Sequence, residues 1–211
     1  MANTERDLAQ AQLEARVRQA CDVGDYERAI TLLVETLGPK VVAFLLQRLE
    51  NPADAREVFS MFSEDLFLGL PRFEWRCTVR GFSFALARNA ANRYRAQAGQ
   101  RPDRRLPLSE APLSSLVEQV RERTLIYLRT EVKTQMQALI KQLPEDDRAL
   151  LSLRIDQNLN WRDLAVALEY AGEPPSDAEL TRAAARFKKR FQLLKERLRR
   201  MAEAAGLLGE R

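Results

Sequence analysis

Residues 176–200 read SDAELTRAAARFKKRFQLLKERLRR. Leu180, Ala184, Phe187, Phe191, Leu194 and Leu198 recur at spacings of 4, 3, 4, 3 and 4, which makes one apolar face of a helix. Arg182, Arg186, Lys189 and Arg190 fall largely elsewhere on its circumference. Ser176 or Asp177 suits its N-cap, and Gly206 ends it at about Ala205. A helix packed on one side and cationic on the other can enter a major groove, where Arg binds guanine edges and Lys mostly holds phosphate. The same period also fits a surface helix or a coiled-coil seam, so the preceding segments bear on the choice.

Just upstream, Pro144 begins a leucine-bearing helix with Leu150, Leu151 and Leu153, and a turn follows at Asn158. Asn160 and Asp163 have the spacing of a capping box, with Asp in place of Glu or Gln. The short helix they start carries Trp161, Leu164, Ala165 and Leu168. Helix, turn, short helix and basic helix is the layout of a helix-turn-helix. Further back, Val117, Val120, Leu125, Leu128, Val132, Met136, Leu139 and Leu143 predict a helix from about 116 to 143. Residues 99–115 hold Pro102, Pro107 and Pro112 without an apolar period, and read as an extended linker.

The N-terminal part is helical too. The pattern predicts a first helix to about Cys21, a break at Gly24-Asp25, and a helix capped by Asp25 and stopped at Gly38-Pro39. A third helix starts at Pro39 and ends at Asn51-Pro52, a fourth runs from about Ala53 to Leu70, and a fifth from about Thr78 to Ala98. No strand-like alternation stands out. The expected fold is all-α, with two helical domains at 1–98 and 116–211 joined by the linker at 99–115.

The chain of 211 residues has 34 Lys and Arg against 30 Asp and Glu, a mildly basic balance. Its distribution says more. Between Arg72 and Arg105 nine Arg face only Glu74 and Asp103, and between Arg182 and Arg200 nine Lys and Arg face only Glu196. Two basic stretches on an acidic background read as polyanion-binding surfaces, or as two solvated helix faces. The first interleaves Phe73, Trp75, Phe82, Phe84 and Tyr94 with its arginines, which suits the holding of unstacked bases. Most of these rings, Phe82 among them, also fit a core position, and Trp75 beside a loop is the best candidate for contact.

The absence of histidine removes Ser-His-Asp and Cys-His catalysis and His-containing zinc sites. Cys21 and Cys77 support neither a disulfide framework nor a four-cysteine metal site. The acidic runs Glu64-Asp65 and Glu145-Asp146-Asp147 have no nucleophile, phosphate loop or metal set beside them and read as solvated or capping groups. No enzyme, cofactor, metal or small-molecule substrate is expected. The longest clean apolar run, Val41 to Leu46, falls short of the about 20 residues of a membrane span. A soluble, cytoplasmic protein is expected.

From Leu33 to Asn89 the sequence resembles region 2 of the bacterial RNA polymerase sigma-70 family, in its small extracytoplasmic-function (ECF) group. Pro39 and Val41 stand where that pattern has Pro and Val. Asn51-Pro52-Ala53-Asp54-Ala55 resembles its Asp-Pro-Ala-Asp-Ala, and Glu57-Val58, Arg72-Phe73, Arg80 and Ala87-Arg88-Asn89 follow in order. In the second half Leu143-Pro144-Glu145 with Arg148 resembles the opening of region 4. Trp161-Arg162-Asp163-Leu164-Ala165 and Phe187-Lys188-Lys189-Arg190-Phe191 resemble two later motifs of that region. Three departures stand out. Ser60-Met61 replace a usual Gln-Glu, Arg93 replaces an Asp, and Glu169 to Ala185 is a long separation before the recognition helix. That separation means about 9–10 extra residues of helix, roughly 15 Å, or a small extra element.

The resemblance implies a promoter-specificity factor with core RNA polymerase and promoter DNA as partners, and an anti-sigma factor as a further one. It implies that the first domain recognises and melts the −10 element, with Trp75, Arg76, Thr78, Arg80, Arg88, Asn89 and Asn92 as expected contacts. The −35 element would fall to Arg182, Arg186, Lys188, Lys189 and Arg190, and the polymerase to Asp54, Glu57, Val58, Met61 and Asp65. The alternative is a sigma-derived helix-turn-helix regulator that binds DNA and does not engage polymerase, motivated by Ser60-Met61 and the long separation.

Overall fold

The computed structural model describes residues 2–49, 51–98, 131–170 and 176–207, and side chains within these except 2–7, 98 and 131–134. Every regular element among them is helical: α1 (Ala2–Asp22), α2 (Tyr26–Leu49), α3 (Pro52–Gly69), α4 (Val79–Ala98), α5 (Glu131–Lys141), α6 (Glu145–Leu151), α7 (Trp161–Glu169) and α8 (Asp177–Ala204). A 3-10 turn at Leu70–Arg72 follows α3, and a wide π-turn at Ser152–Asp156 follows α6. The linker and the first part of the helix expected from 116 lie outside the described residues.

Local sequence accounts for most of the boundaries. Gly24, at φ +75°, makes the corner between α1 and α2, and Asp25 caps α2 by accepting from the Arg28 N–H at 3.1 Å. Asn51 caps α3 through the Ala53 N–H at 2.9 Å, with Pro52 in the first turn. Ser176 and Glu179 form a full capping box at the start of α8.

Pro39 does not separate two helices. α2 runs through it as one 24-residue helix. Proline inside a helix removes one hydrogen bond and costs about 3 kcal/mol. Here the apolar stripe Leu33, Leu37, Val41, Val42 and Leu45 crosses the proline without a break in phase, and each of these side chains is buried. Continuous burial outweighs the local defect. The undivided α2 is long and apolar enough, by length and composition, to cross a membrane, a feature that splitting it at Pro39 hides. In this structure it is the central helix of the N-terminal bundle and packs against α1, α3 and α4.

That bundle closes around Phe44, Phe59, Phe62 and Phe84, all essentially inaccessible. Phe44 meets Phe84 edge to face at 5.7 Å between ring centres, which ties α2 to α4. Full burial of such a side chain contributes about 2–3 kcal/mol. In the C-terminal half, α7 and α8 pack through Leu164, Leu168, Leu180, Ala183 and Phe187. Ala183 is fully buried, whereas Ala184 and Leu198 sit at the margin of the stripe.

The two halves form one continuous core. α7 lies against α4 as extensively as it lies against α8, and α7 is therefore buried from Asp163 to Leu168.

Candidate nucleic-acid interface

The cationic face of α8 is open. Arg182, Arg186, Lys188, Lys189 and Arg190 are all exposed, opposite the buried stripe of Leu180, Phe187, Phe191 and Leu194. Two of the five lean on acids of neighbouring helices: Arg186 donates to both oxygens of Glu169 at 2.6 and 2.7 Å, and Arg190 pairs with Asp147 at 2.7 Å. The outward Arg186–Glu169 pair is worth about 0–1 kcal/mol and exchanges readily for phosphate. Because α8 begins at Asp177, with its cap at Ser176, nine residues of the long separation before Arg186 are helix at its N-terminal end. Asn158, at φ +48°, supplies the left-handed corner of the helix-turn-helix.

Much of the corresponding face of α4 is covered, although Asn92 and, just before the helix, Arg76 stay exposed. Thr78 caps α4 by accepting from the Gly81 N–H at 3.1 Å. It also donates both its N–H and its hydroxyl to Asp163 of α7, at 2.9 and 2.6 Å. Arg80 bonds to Gln10 of α1 at 3.0 Å and to the Gln157 carbonyl. The Arg76 carbonyl accepts from Arg162 at 2.9 Å, and the Asn89 amide donates to the Tyr170 carbonyl at 3.3 Å. Asn92 accepts from Arg48 at 2.9 Å. Trp75, at φ +59°, stands on its loop against Phe73, with Arg18 of α1 stacked 5.0 Å from its ring centre. A tryptophan in the left-handed region is strained by about 1–3 kcal/mol and is held there by its surroundings. Phe82 is half-buried and stacks on Phe73 at 4.5 Å.

Asp163 performs only half of the capping-box role that its spacing predicts. Its N–H donates to Asn160 at 2.8 Å, but its carboxylate accepts from Thr78 and from the Asn160 amide rather than from the backbone of the cap. It is 1% exposed, and burial pushes its pKa up, against the pull of its Thr78 and Asn160 hydrogen bonds and the Arg80 charge. Gly81 makes the approach achievable: a methyl at that position would lie 2.7 Å from the Asp163 Cβ. Burial likewise pushes the Cys77 thiol up to about 12, which leaves it an unreactive packed group.

A second bridge joins α2, α4 and α6. Glu145 pairs with Arg48, which is only 8% exposed, and with Arg95. Burial alone would raise the Glu145 pKa; the Arg95 hydrogen bond and the charges of Arg48, Arg95 and Arg148 reverse the sign and hold it below its usual value. Ser152 donates to Gln47 at 2.5 Å beside this bridge.

On α3, the expected polymerase contacts divide. Asp54 accepts from the Tyr94 hydroxyl at 2.8 Å, Asp65 pairs with Arg93, and Glu57 and Met61 are half-exposed. Val58 is fully buried beside Phe59 and Phe62, so its side chain belongs to the core and not to a docking face. Arg93, which departs from the sigma-70 pattern, thus has an acidic partner one helix away. The end of α3 also exposes Phe67 and Leu68, at 60% and 69%. Their helical phase, off the Val58, Phe62 and Leu66 stripe, already places them outside the core.

The motifs and periodicities do not single out Arg48, Gly81, Gln10 or Glu14, and they read Glu145 only as a solvated or capping acid. An arginine within the apolar run of α2 is the one available signal for Arg48. Glu14 accepts from the Val79 N–H at 3.1 Å through either oxygen, so α1 caps the start of α4 from outside.

No family model matches the chain. Over 162 residues, covering 75% of this chain and 81% of the relative, it is 25% identical to the RNA polymerase sigma-H factor of Pseudomonas aeruginosa.

Proposed function

We propose, taking the chain as the sigma-70 family member that this similarity supports, that it is a transcription-initiation factor that directs core RNA polymerase to promoters. It is read as a non-enzymatic DNA-binding subunit working in the cytoplasm, and the ECF group is compatible with the similarity. In this reading α8 binds the −35 element from the major groove, α4 with the Trp75 loop engages and opens the −10 element, and the outer face of α3 docks on the polymerase. The observation that carries the reading is the exposed cationic row of α8, set on a capped helix-turn-helix in a chain with that similarity.

In vitro transcription with purified core polymerase and a genomic fragment library tests it. Discrete transcripts that depend on the added chain are the expected result. No transcripts, together with no co-purification of polymerase, rejects it. Replacing Glu57 and Asp65 with Lys should reduce polymerase affinity at unchanged fold; unaltered co-purification would move the docking face off α3.

A further inference from the structure

The cavity between the two halves, about 370 Å³, is lined on one side by Arg48, Arg88, Asn92 and Arg95 and on the other by Glu145 and Asp146. Three guanidinium groups from α2 and α4 converge there. Glu145 reaches two of them, Arg48 and Arg95. Nε and Nη1 of Arg48 and Nε of Arg88 remain buried with no hydrogen-bond partner among the described residues, and Oε1 of Glu145, though ion-paired with Arg48 and Arg95, likewise makes no hydrogen bond of good geometry. A single carboxylate therefore leaves donors unmet. Arginine forks match phosphate as well as carboxylate, and phosphate offers more acceptor oxygens over a larger span. Buried unmet donors are costly, so such a site favours the ligand that fills it more completely.

We propose that Arg48, Arg88 and Arg95 form a phosphate site for the nucleic-acid backbone, and that Glu145 of the second half occupies it in the closed chain as a stand-in. Nucleic acid and Glu145 then compete for the same arginines. Engagement of the α4 face and release of α6–α7 from it become a single event, in which backbone phosphate replaces the carboxylate and exposes Thr78, Arg80 and Asn89. The inference rests on the nucleic-acid part of the proposed function and adds an internal competitor to it.

Two variants of the full chain separate this role from an ordinary structural ion pair. Glu145→Gln and Arg95→Ala both break the bridge, so both should speed amide hydrogen exchange in α7. Their effects on a fluorescently labelled single-stranded oligonucleotide should be opposite. If about nine molecules in ten are closed, Glu145→Gln tightens apparent binding about tenfold by removing the competitor. Arg95→Ala weakens it, because a phosphate ligand is removed along with the clasp. Equal affinity for Glu145→Gln and the unaltered chain, or tightening by both variants, overturns the proposal.

Exchange measured in sodium phosphate against sodium chloride, at matched ionic strength, identifies the source of the phosphate. Opening by the oligonucleotide alone supports a backbone phosphate, whereas opening by inorganic phosphate alone overturns the nucleic-acid assignment. Polymerase is absent from these titrations. Transcription without the opposite effects of the two variants therefore rejects the competitor only, and opposite effects without transcription reject the polymerase reading only.

Discussion

The two basic surfaces are alike in sequence and opposite in state. On α8 the cations face solvent; Arg186 leans on the outward Glu169, and Arg190 reaches the largely buried Asp147 from its own exposed position. Around α4 many of the polar and cationic groups are met by α1 through Arg80–Gln10, by the turn before α7 through Arg80–Gln157, by α7 through Thr78–Asp163, and by α6 through Glu145, which pairs with Arg95 and with Arg48 of α2. Charge density marks a surface fit for a polyanion. Whether that surface is available depends on what the rest of the chain lays over it. Under the proposed function, the closed chain would present α8 to duplex DNA first and keep the α4 face back until a promoter is to be opened.

The contrast between the two faces is most exposed to attack at Asp163. Asp163→Ala leaves the Thr78 N–H and the Thr78 hydroxyl without their buried acceptor, at about 1–3 kcal/mol for each unmet group, while the exposed Asn160 amide can turn to water. α7 should detach from α4, with hydrogen exchange accelerated across residues 160–169 and in the first turn of α4. Unchanged exchange there would mean that the apolar contact alone holds the two halves. Gly81→Ala approaches the same joint from the other side. The added methyl must push Asp163 away, an overpacking cost of about 1–3 kcal/mol. It should loosen α7 less than Asp163→Ala does while leaving helix content unaltered by circular dichroism, and a Gly81→Ala chain as tightly closed as the original would show that the joint has slack.

The open face gives a smaller and more graded effect. Replacing Arg186, Lys189 and Arg190 with Ala removes up to three cations that neutralise phosphates, which should lower the slope of log affinity against log salt by about 0.9 for each on duplex DNA. An unchanged slope would remove α8 from the duplex interface. Trp75→Ala, by comparison, should leave duplex binding near its original value, because Trp75 sits under Arg18 in the closed chain.

Legibility follows the range of the interactions. The caps at Asp25 and Ser176, the stripe of α8 and the turn at Asn158 follow from short-range pattern and are readable from the sequence. Pro39 misleads because local breaker rules see the missing hydrogen bond and not the core on both sides of it. Asp163 reads as a cap because its local partner, Asn160, lies three residues away, whereas the partner that decides its role, Thr78, lies 85 residues away. Val58 reads as a docking residue because a motif match assigns a column and not a direction; its burial is a property of the packed bundle. The all-helical class and the cationic row of α8 need only periodicity. The covering of α4 needs the tertiary structure.

The weakest brace on α4 is the one that pH should tune. Glu14 sits between α1 and the start of α4, and burial, aided by the nearby Asp163 charge, raises its pKa from 4.5 to about 7 against the Val79 hydrogen bond and Arg18. A carboxyl whose pKa is raised in the docked state binds more protons there than when α1 is released, so docking is favoured in acid. Its contribution is complete below about 4.5 and fades as pH rises through about 7. Because Gln10, Glu14 and Arg18 lie four residues apart along one face of α1, release at Glu14 also loosens Gln10 from Arg80 and Arg18 from Trp75. Trp75 fluorescence, read in a Trp161→Phe background, should therefore shift between acid and neutral pH. Glu14→Gln, neutral throughout, should hold the acid-form signal across that range. A Trp75 transition that persists in Glu14→Gln would transfer the titration to Asp163, the other buried acid at this joint, and would tie pH to the α4–α7 contact rather than to α1.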